Sequence, residues 1–179
     1  MVLSEEGVSF SVDEITNSLD HESRDVICGL VLSWARYDSI ISQWTFRSFG
    51  MGADEGSILL GNMDTKSKFE RLQSLFKHFG NGEAAVSVKR LAAEHQKHVG
   101  IRNTVCHVTC AGHVRSEPDR IAFGGGKIFK GKPGVMLVEL VHIQQIRDAR
   151  DFASKSADQI VQLIDLIESK SKHLGSQGA

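Results

Sequence analysis

A chain of 179 residues fits one domain and is long enough to bury about two-thirds of its unfolded surface. With 41% hydrophobic and 24% charged residues it is ordinary globular material, which excludes long disorder, and its longest apolar stretch, Val26 to Leu32, is interrupted by Gly29 and far short of the roughly 20 residues that span a bilayer. The net charge of −1 conceals an asymmetry, because Lys77 to Arg115 carries +4 and the remainder −5, and five of the eight histidines share that basic window.

Residues 1 to about 12 show no clear period and are expected to be loose. A short helix is expected from Asp13 to about His21, with Asp13 as its cap. Ile27, Leu30, Trp34, Tyr37, Ile41 and Trp44 then step 3-4-3-4-3, a helix burying one stripe from about Arg24 to Phe49 and ended by Gly50. Gly50 to Gly61 is glycine-rich and reads as a loop or a short broken helix. Asp64 or Thr65 opens a second long helix with Phe69, Leu72, Phe76 and Phe79 inward, stopped at Gly80-Asn81-Gly82.

In the third helix Ala85, Val88, Ala92, His95 and Val99 step 3-4-3-4, and continuing the count places Arg102 and Cys106 on the same stripe unless Gly100 breaks the helix. From Gly112 to Leu140 the apolar, partly β-branched runs Arg120–Phe123 and Val135–Val141 predict a two- or three-stranded antiparallel flap. Gly124-Gly125-Gly126 and Lys132-Pro133-Gly134 are read as its turns. A last helix from about Ile143 to Lys170 buries Ile146, Ala149, Ala153, Ala157, Ile160, Ile164 and Ile167. It spans about 40 Å, and the tail from about Ser171 is expected to fray. The expected fold is mainly α: an antiparallel bundle of four to five helices, one domain over residues 1–179, with the β insertion at about 112–141. The long first and last helices leave apolar surface for a second copy, and a homodimer is expected. The opening residues contain no basic leader followed by an apolar run, and three cysteines read as reduced thiols. A cytoplasmic protein with no membrane contact is therefore expected.

The chemistry gathers at Arg102-Asn103-Thr104-Val105-Cys106-His107. Asn103 and His107 are i,i+4 neighbours, while Arg102 lies about 140° round the helix from His107, a gap its long arm partly closes. An arginine on a stripe that faces a core or a partner is either paired or aimed into a cleft that receives an anion. RNA transesterification needs a base for the 2′-hydroxyl proton, an acid for the leaving oxygen and a cation for the phosphorane. Histidine supplies the first two and arginine the third, with no metal or other cofactor required. One histidine per chain is sparse for both proton roles, and two copies across a dimer axis make better sense.

This segment resembles the R-X4-6-H motif of the HEPN superfamily, in which a polar residue, often asparagine, commonly follows the arginine; Arg102, Asn103 and His107 match it with a four-residue spacer. The resemblance implies a helical bundle with the motif ahead of a final long helix. It further implies a metal-independent endoribonuclease whose dimer forms one cleft, of the kind found in toxin–antitoxin, antiphage and RNA-processing systems, or else a non-catalytic binding module. Partners would be RNA, a second copy and an antitoxin or other protein. Arg102 would bind the scissile phosphate, His107 would transfer protons, and Asn103 would orient His107 or the backbone. His113 and Arg115 are weaker candidates to line the cleft, and Lys97 and His98 could attract the substrate. The motif covers six residues, and the predicted flap departs from a plain bundle.

Plainer readings use the same residues. A lone arginine and histidine in a helical protein are most often a salt-bridge donor and a satisfied histidine, and a basic stretch is often a solvated face. Cys106, His107, Cys110 and His113 offer four zinc-type ligands, yet no second knuckle accompanies them. Asp54, Glu55 and Asp64 suit helix capping better than Mg²⁺. Gly124–Lys127 lacks the spacing and following Ser/Thr of a phosphate-binding loop.

Overall fold

The computed structural model describes the backbone of residues 2–4, 9–10, 12–128 and 136–175, and the side chains of 13–124, 138–162 and 164. The protein is mainly α. In chain order it forms β1 (Val2–Ser4), β2 (Ser9–Phe10), a 3-10 turn (Val12–Glu14), β3 (Ile15–Thr16), α1 (His21–Ser48), α2 (Ala53–Leu60), α3 (Thr65–His78), α4 (Gly82–His107), β4 (Cys110–Val114), β5 (Glu117–Ile128), β6 (Met136–His142) and α5 (Ile143–Gly175). These divide into two compact units, one of Met1–Ser33 with His98–Asp151 and one of Trp34–Lys97 with Phe152–Ala179, and α1, α4 and α5 contribute residues to both. Among the described residues no helix is long and apolar enough to cross a membrane.

The first unit is built on a six-stranded sheet of order β2-β1-β6-β5-β4-β3, antiparallel except for the parallel pair β1 and β6. Val114, Ala122 and Val138 are buried on it, with Ile15, Ala111 and Leu140 packed against them. The flap expected before the last helix is thus the centre of a larger sheet. A three-stranded meander leaves two unpaired edges; residues expected to be loose supply β1 to one edge, and residues expected to be helical supply β3 to the other. Strands of two or three residues carry no readable period, and the helix expected at Asp13–His21 is instead one 3-10 turn followed by β3. Gly124-Gly125-Gly126, expected as a turn, lies inside β5, where the pairing with β6 shifts register between Gly124 and Ile128. The turn expected at Lys132-Pro133-Gly134 falls outside the described residues. Gly112 in β4 is required by its setting: its φ is +121°, and a Cβ there would lie 1.5 Å from the Thr16 carbonyl oxygen of β3. The N-cap of α1 is Asp20, whose Oδ1 accepts the Ser23 amide at 2.7 Å, so the helix starts three residues before the apolar stripe suggested.

The second unit is a helical bundle. Trp34, Tyr37, Ile41 and Trp44 of α1 are buried there with Phe69 and Leu72 of α3, Val88 and His95 of α4 and Ala153, Ala157 and Ile160 of α5, as the 3-4 spacing required. The His95 ring sits within 6 Å of the rings of Trp34, Tyr37 and Phe69. The Asp64 carboxylate caps α3 through the Ser67 amide at 2.7 Å, and that bond holds its carboxyl below the usual range. Phe79, expected inward, is the C-cap of α3 and 70% exposed. The glycine-rich stretch after α1 forms α2, and buried Gly56 lets that helix close on α1, since a Cβ there would lie 2.2 Å from Phe46 Cγ.

Candidate functional site

Helix α4 runs unbroken through Gly100 to His107, where the Val108 amide closes the last turn on the Thr104 carbonyl at 3.0 Å. One glycine costs a helix about 1 kcal/mol, which twenty-five other residues easily absorb. The arm of Arg102 closes the angular gap to His107: its Nη1 lies 3.0 Å from Asn103 Oδ1 and 3.1 Å from His107 Nε2. Arginine only donates, so the second contact requires a lone pair on Nε2, which assigns the imidazole as neutral with its proton on Nδ1. Asn103 Oδ1 accepts from the guanidinium; its expected role was to orient His107 or the backbone. Asn103 and His107 are exposed and Arg102 is half-buried, so the cluster is open to solvent.

What sets this turn is on the other side of the helix. Thr104 is buried, and its Oγ1 lies 2.7 Å from Glu139 Oε2 of β6 and 3.2 Å from the Gly100 carbonyl; its single proton goes to the carboxylate, the closer and charged acceptor. Just beyond, the Gly124 amide of β5 donates to the Thr109 carbonyl at 2.8 Å. The end of α4 is thereby pinned to the sheet at two points. The stripe of Ala85, Val88 and His95 is buried as expected, but the inward residue at this end is Thr104, half a turn round from His95, and Cys106 is exposed. Neither Thr104 nor Glu139 was visible as a site residue, because nothing in the local sequence states which strand carboxylate a helix threonine will meet.

No family model, no curated protein and no solved structure matches the chain. The site rests on its own geometry.

Arg102, Asn103 and His107 are brought together; Lys97 and His113 are placed against other partners, and Arg115 lies exposed outside the cluster. Lys97 belongs to the helical unit and pairs with Glu94 at 2.6 Å. His98 is half-buried one turn before Arg102. His113 is buried in β4, where its Nε2 faces the Asp20 amide at 3.4 Å and Asp20 Oδ2 at 3.6 Å. Arg115 is exposed just after β4, its amide donating to the Glu14 carbonyl at 2.8 Å. Cys106 and Cys110 are exposed free thiols, and desolvation pushes the Cys110 thiol up. Among the described residues no three His, Cys, Asp or Glu side chains form a metal-holding group. Of the loop acids, Glu55 accepts the Gly52 amide at 3.1 Å and Asp64 caps α3, as the capping reading had it.

Proposed function

We propose that the chain is a HEPN-type, metal-independent endoribonuclease that acts as a homodimer, and the contact of Arg102 Nη1 with both Asn103 and His107 carries that reading. In the resting protein the Nε2 lone pair accepts from the guanidinium; a substrate phosphate draws Arg102 onto itself and frees that lone pair for the 2′-hydroxyl proton. In the reaction His107 Nε2 takes the proton of the ribose 2′-hydroxyl. The 2′-oxygen bonds to phosphorus, the bond from phosphorus to the 5′-oxygen breaks, and a protonated imidazole, His107 of a second copy, gives its proton to the leaving oxygen. Arg102 neutralises the phosphorane, with Asn103 keeping the guanidinium in place. The nucleophile is the substrate's own hydroxyl, so no cofactor enters. Exposed Leu32 (71%) and Val108 (39%), in the same unit as the motif, offer apolar surface to the second copy. A toxin or defence role, with an antitoxin as partner, follows from the family reading.

The purified chain, incubated with single-stranded RNA and EDTA, is expected to yield fragments with 2′,3′-cyclic phosphate and 5′-hydroxyl ends. His107→Ala and Arg102→Ala should each slow cleavage by about 10²-fold or more while melting within a few degrees of the parent. Undiminished cleavage by both variants would dispose of the assignment.

Two observations favour a second reading, a non-catalytic nucleotide- or partner-binding module. The motif lies at the carbonyl end of α4, which by itself disfavours an anion, and both Nη1 hydrogens are already spent inside the chain. In that case no RNA is cut, and Arg102→Ala lowers melting temperature or self-association instead.

A further inference from the structure

The helical unit carries a second guanidinium and imidazole on one face. A groove of about 540 Å³ runs along α3, lined by Arg71, Ser74 and His78, with Glu70 on one side and Phe49 and Leu75 as its apolar part. That volume falls in the range of roughly 300–1,000 Å³ typical of small-ligand sites. Arg71 and His78 are seven residues apart, so they share a face within about 20° and lie about 10 Å apart along the axis. Arg71 is exposed and makes no hydrogen bond or ion pair among the described residues, unlike Arg36, Arg147 and Arg150, which all pair with carboxylates. The proton of Ser74 is spent on the Glu70 carbonyl at 2.9 Å, and Arg71 is the one guanidinium that lines the groove. At the other end His78 lines the groove, and exposed Phe79 stands edge-on to it with centroids 5.4 Å apart; Phe49 also lines the groove.

One end therefore suits a phosphate and the other a flat ring, with Glu70 next to Arg71 at the phosphate end and facing Lys66 at 4.0 Å. A bare phosphate on Arg71 would leave the aromatic end uncovered, whereas an extended nucleoside monophosphate reaches both. We propose that this groove binds a nucleoside monophosphate unit, its phosphate on Arg71 and its base on the rings of His78 and Phe79. Base-on-aromatic stacking tolerates any base, so the contact selects nucleotide chemistry and not sequence. The site is independent of the Arg102 cluster and of the cleavage reading.

The test is a titration of the full chain, followed by amide NMR shifts, with adenosine 5′-monophosphate, inorganic phosphate and a short oligoadenylate RNA. Adenosine monophosphate is expected to move the amides of residues 49 and 70–79, and inorganic phosphate to act more weakly and near Arg71 alone. Arg71→Gln should weaken nucleotide binding about tenfold or more. Phe79→Leu should weaken nucleotide binding and leave phosphate binding unchanged, and Arg102→Ala should leave the shifts at α3 intact. Tighter binding of the RNA than of the mononucleotide assigns the site to an RNA strand, and the reverse assigns it to the free nucleotide. No shift on α3 at millimolar nucleotide, or an affinity unchanged in a folded Arg71→Gln protein, overturns the proposal.

Discussion

Tyr37 is the chain's one tyrosine, and its hydroxyl is buried without a hydrogen-bond partner among the described residues. Burial, and after it the nearby Asp38 carboxylate, push its ionisation far above the ordinary tyrosine value. Above about pH 10 the unfolded chain releases this proton while the native protein keeps it, so the group's contribution to stability is lost as pH rises. Buried Lys68 works in the opposite sense. Desolvation lowers its pKa, the unfolded chain holds that proton more tightly, and stability is regained as pH climbs toward the usual lysine range. The difference between parent and Tyr37→Phe isolates the tyrosine. At neutral pH the variant should be within about 1 kcal/mol of the parent, since the hydroxyl makes no hydrogen bond that would be lost. At strongly alkaline pH the variant should have the higher melting temperature, and the parent's tyrosinate absorbance should appear only with unfolding. At His107, imidazole ¹⁵N shifts should report the proton on Nδ1 in the parent, and Arg102→Ala should release that restriction; a parent protonated on Nε2 would exclude the Arg102 contact.

Among the elements, α4 is where reading and structure part in an instructive way. Its existence and the first part of its apolar stripe were legible from 3-4 spacing, as were α1, α3 and α5, but the count carried the stripe on to Arg102 and Cys106, where the inward residue is Thr104. The sheet was legible only at its centre, because β1, β2 and β3 are two or three residues long and owe their conformation to the strands they pair with. The orientation of the last turn of α4 was not legible, because it depends on Glu139, 35 residues away in β6. Thr104→Val keeps the shape and removes the donor from a half-buried carboxylate, so it should cost about 1–3 kcal/mol in denaturant unfolding. If the tether also aims the motif, the variant should cut RNA more slowly with KM little changed. Gly56→Ala drives a methyl into the Phe46 ring and should cost about 1–3 kcal/mol, while an exposed control such as Gly82→Ala, whose added carbon meets nothing within 4 Å, should not.

For the whole molecule the proposed chemistry needs two copies, and self-association is accordingly expected. Sedimentation should give a dimer at micromolar concentration, and Leu32→Glu, at a position 71% exposed in the monomer, should weaken it without unfolding the chain. Charge on its own located the basic window from Lys77 to Arg115 but not its parts: it grouped Lys97, His113 and the Arg102 turn, which the fold gives to different partners. It also stopped short of Arg71, six residues before the window begins. In the proposed reaction Arg102 and His107 act as one unit on one phosphate, and a double-mutant cycle in RNA cleavage measures that coupling. The rate of Arg102→Ala/His107→Ala should be no lower than that of the slower single variant, because either loss already disables the pair. Losses that multiply independently, or a parent protein that cuts no RNA, would contradict it.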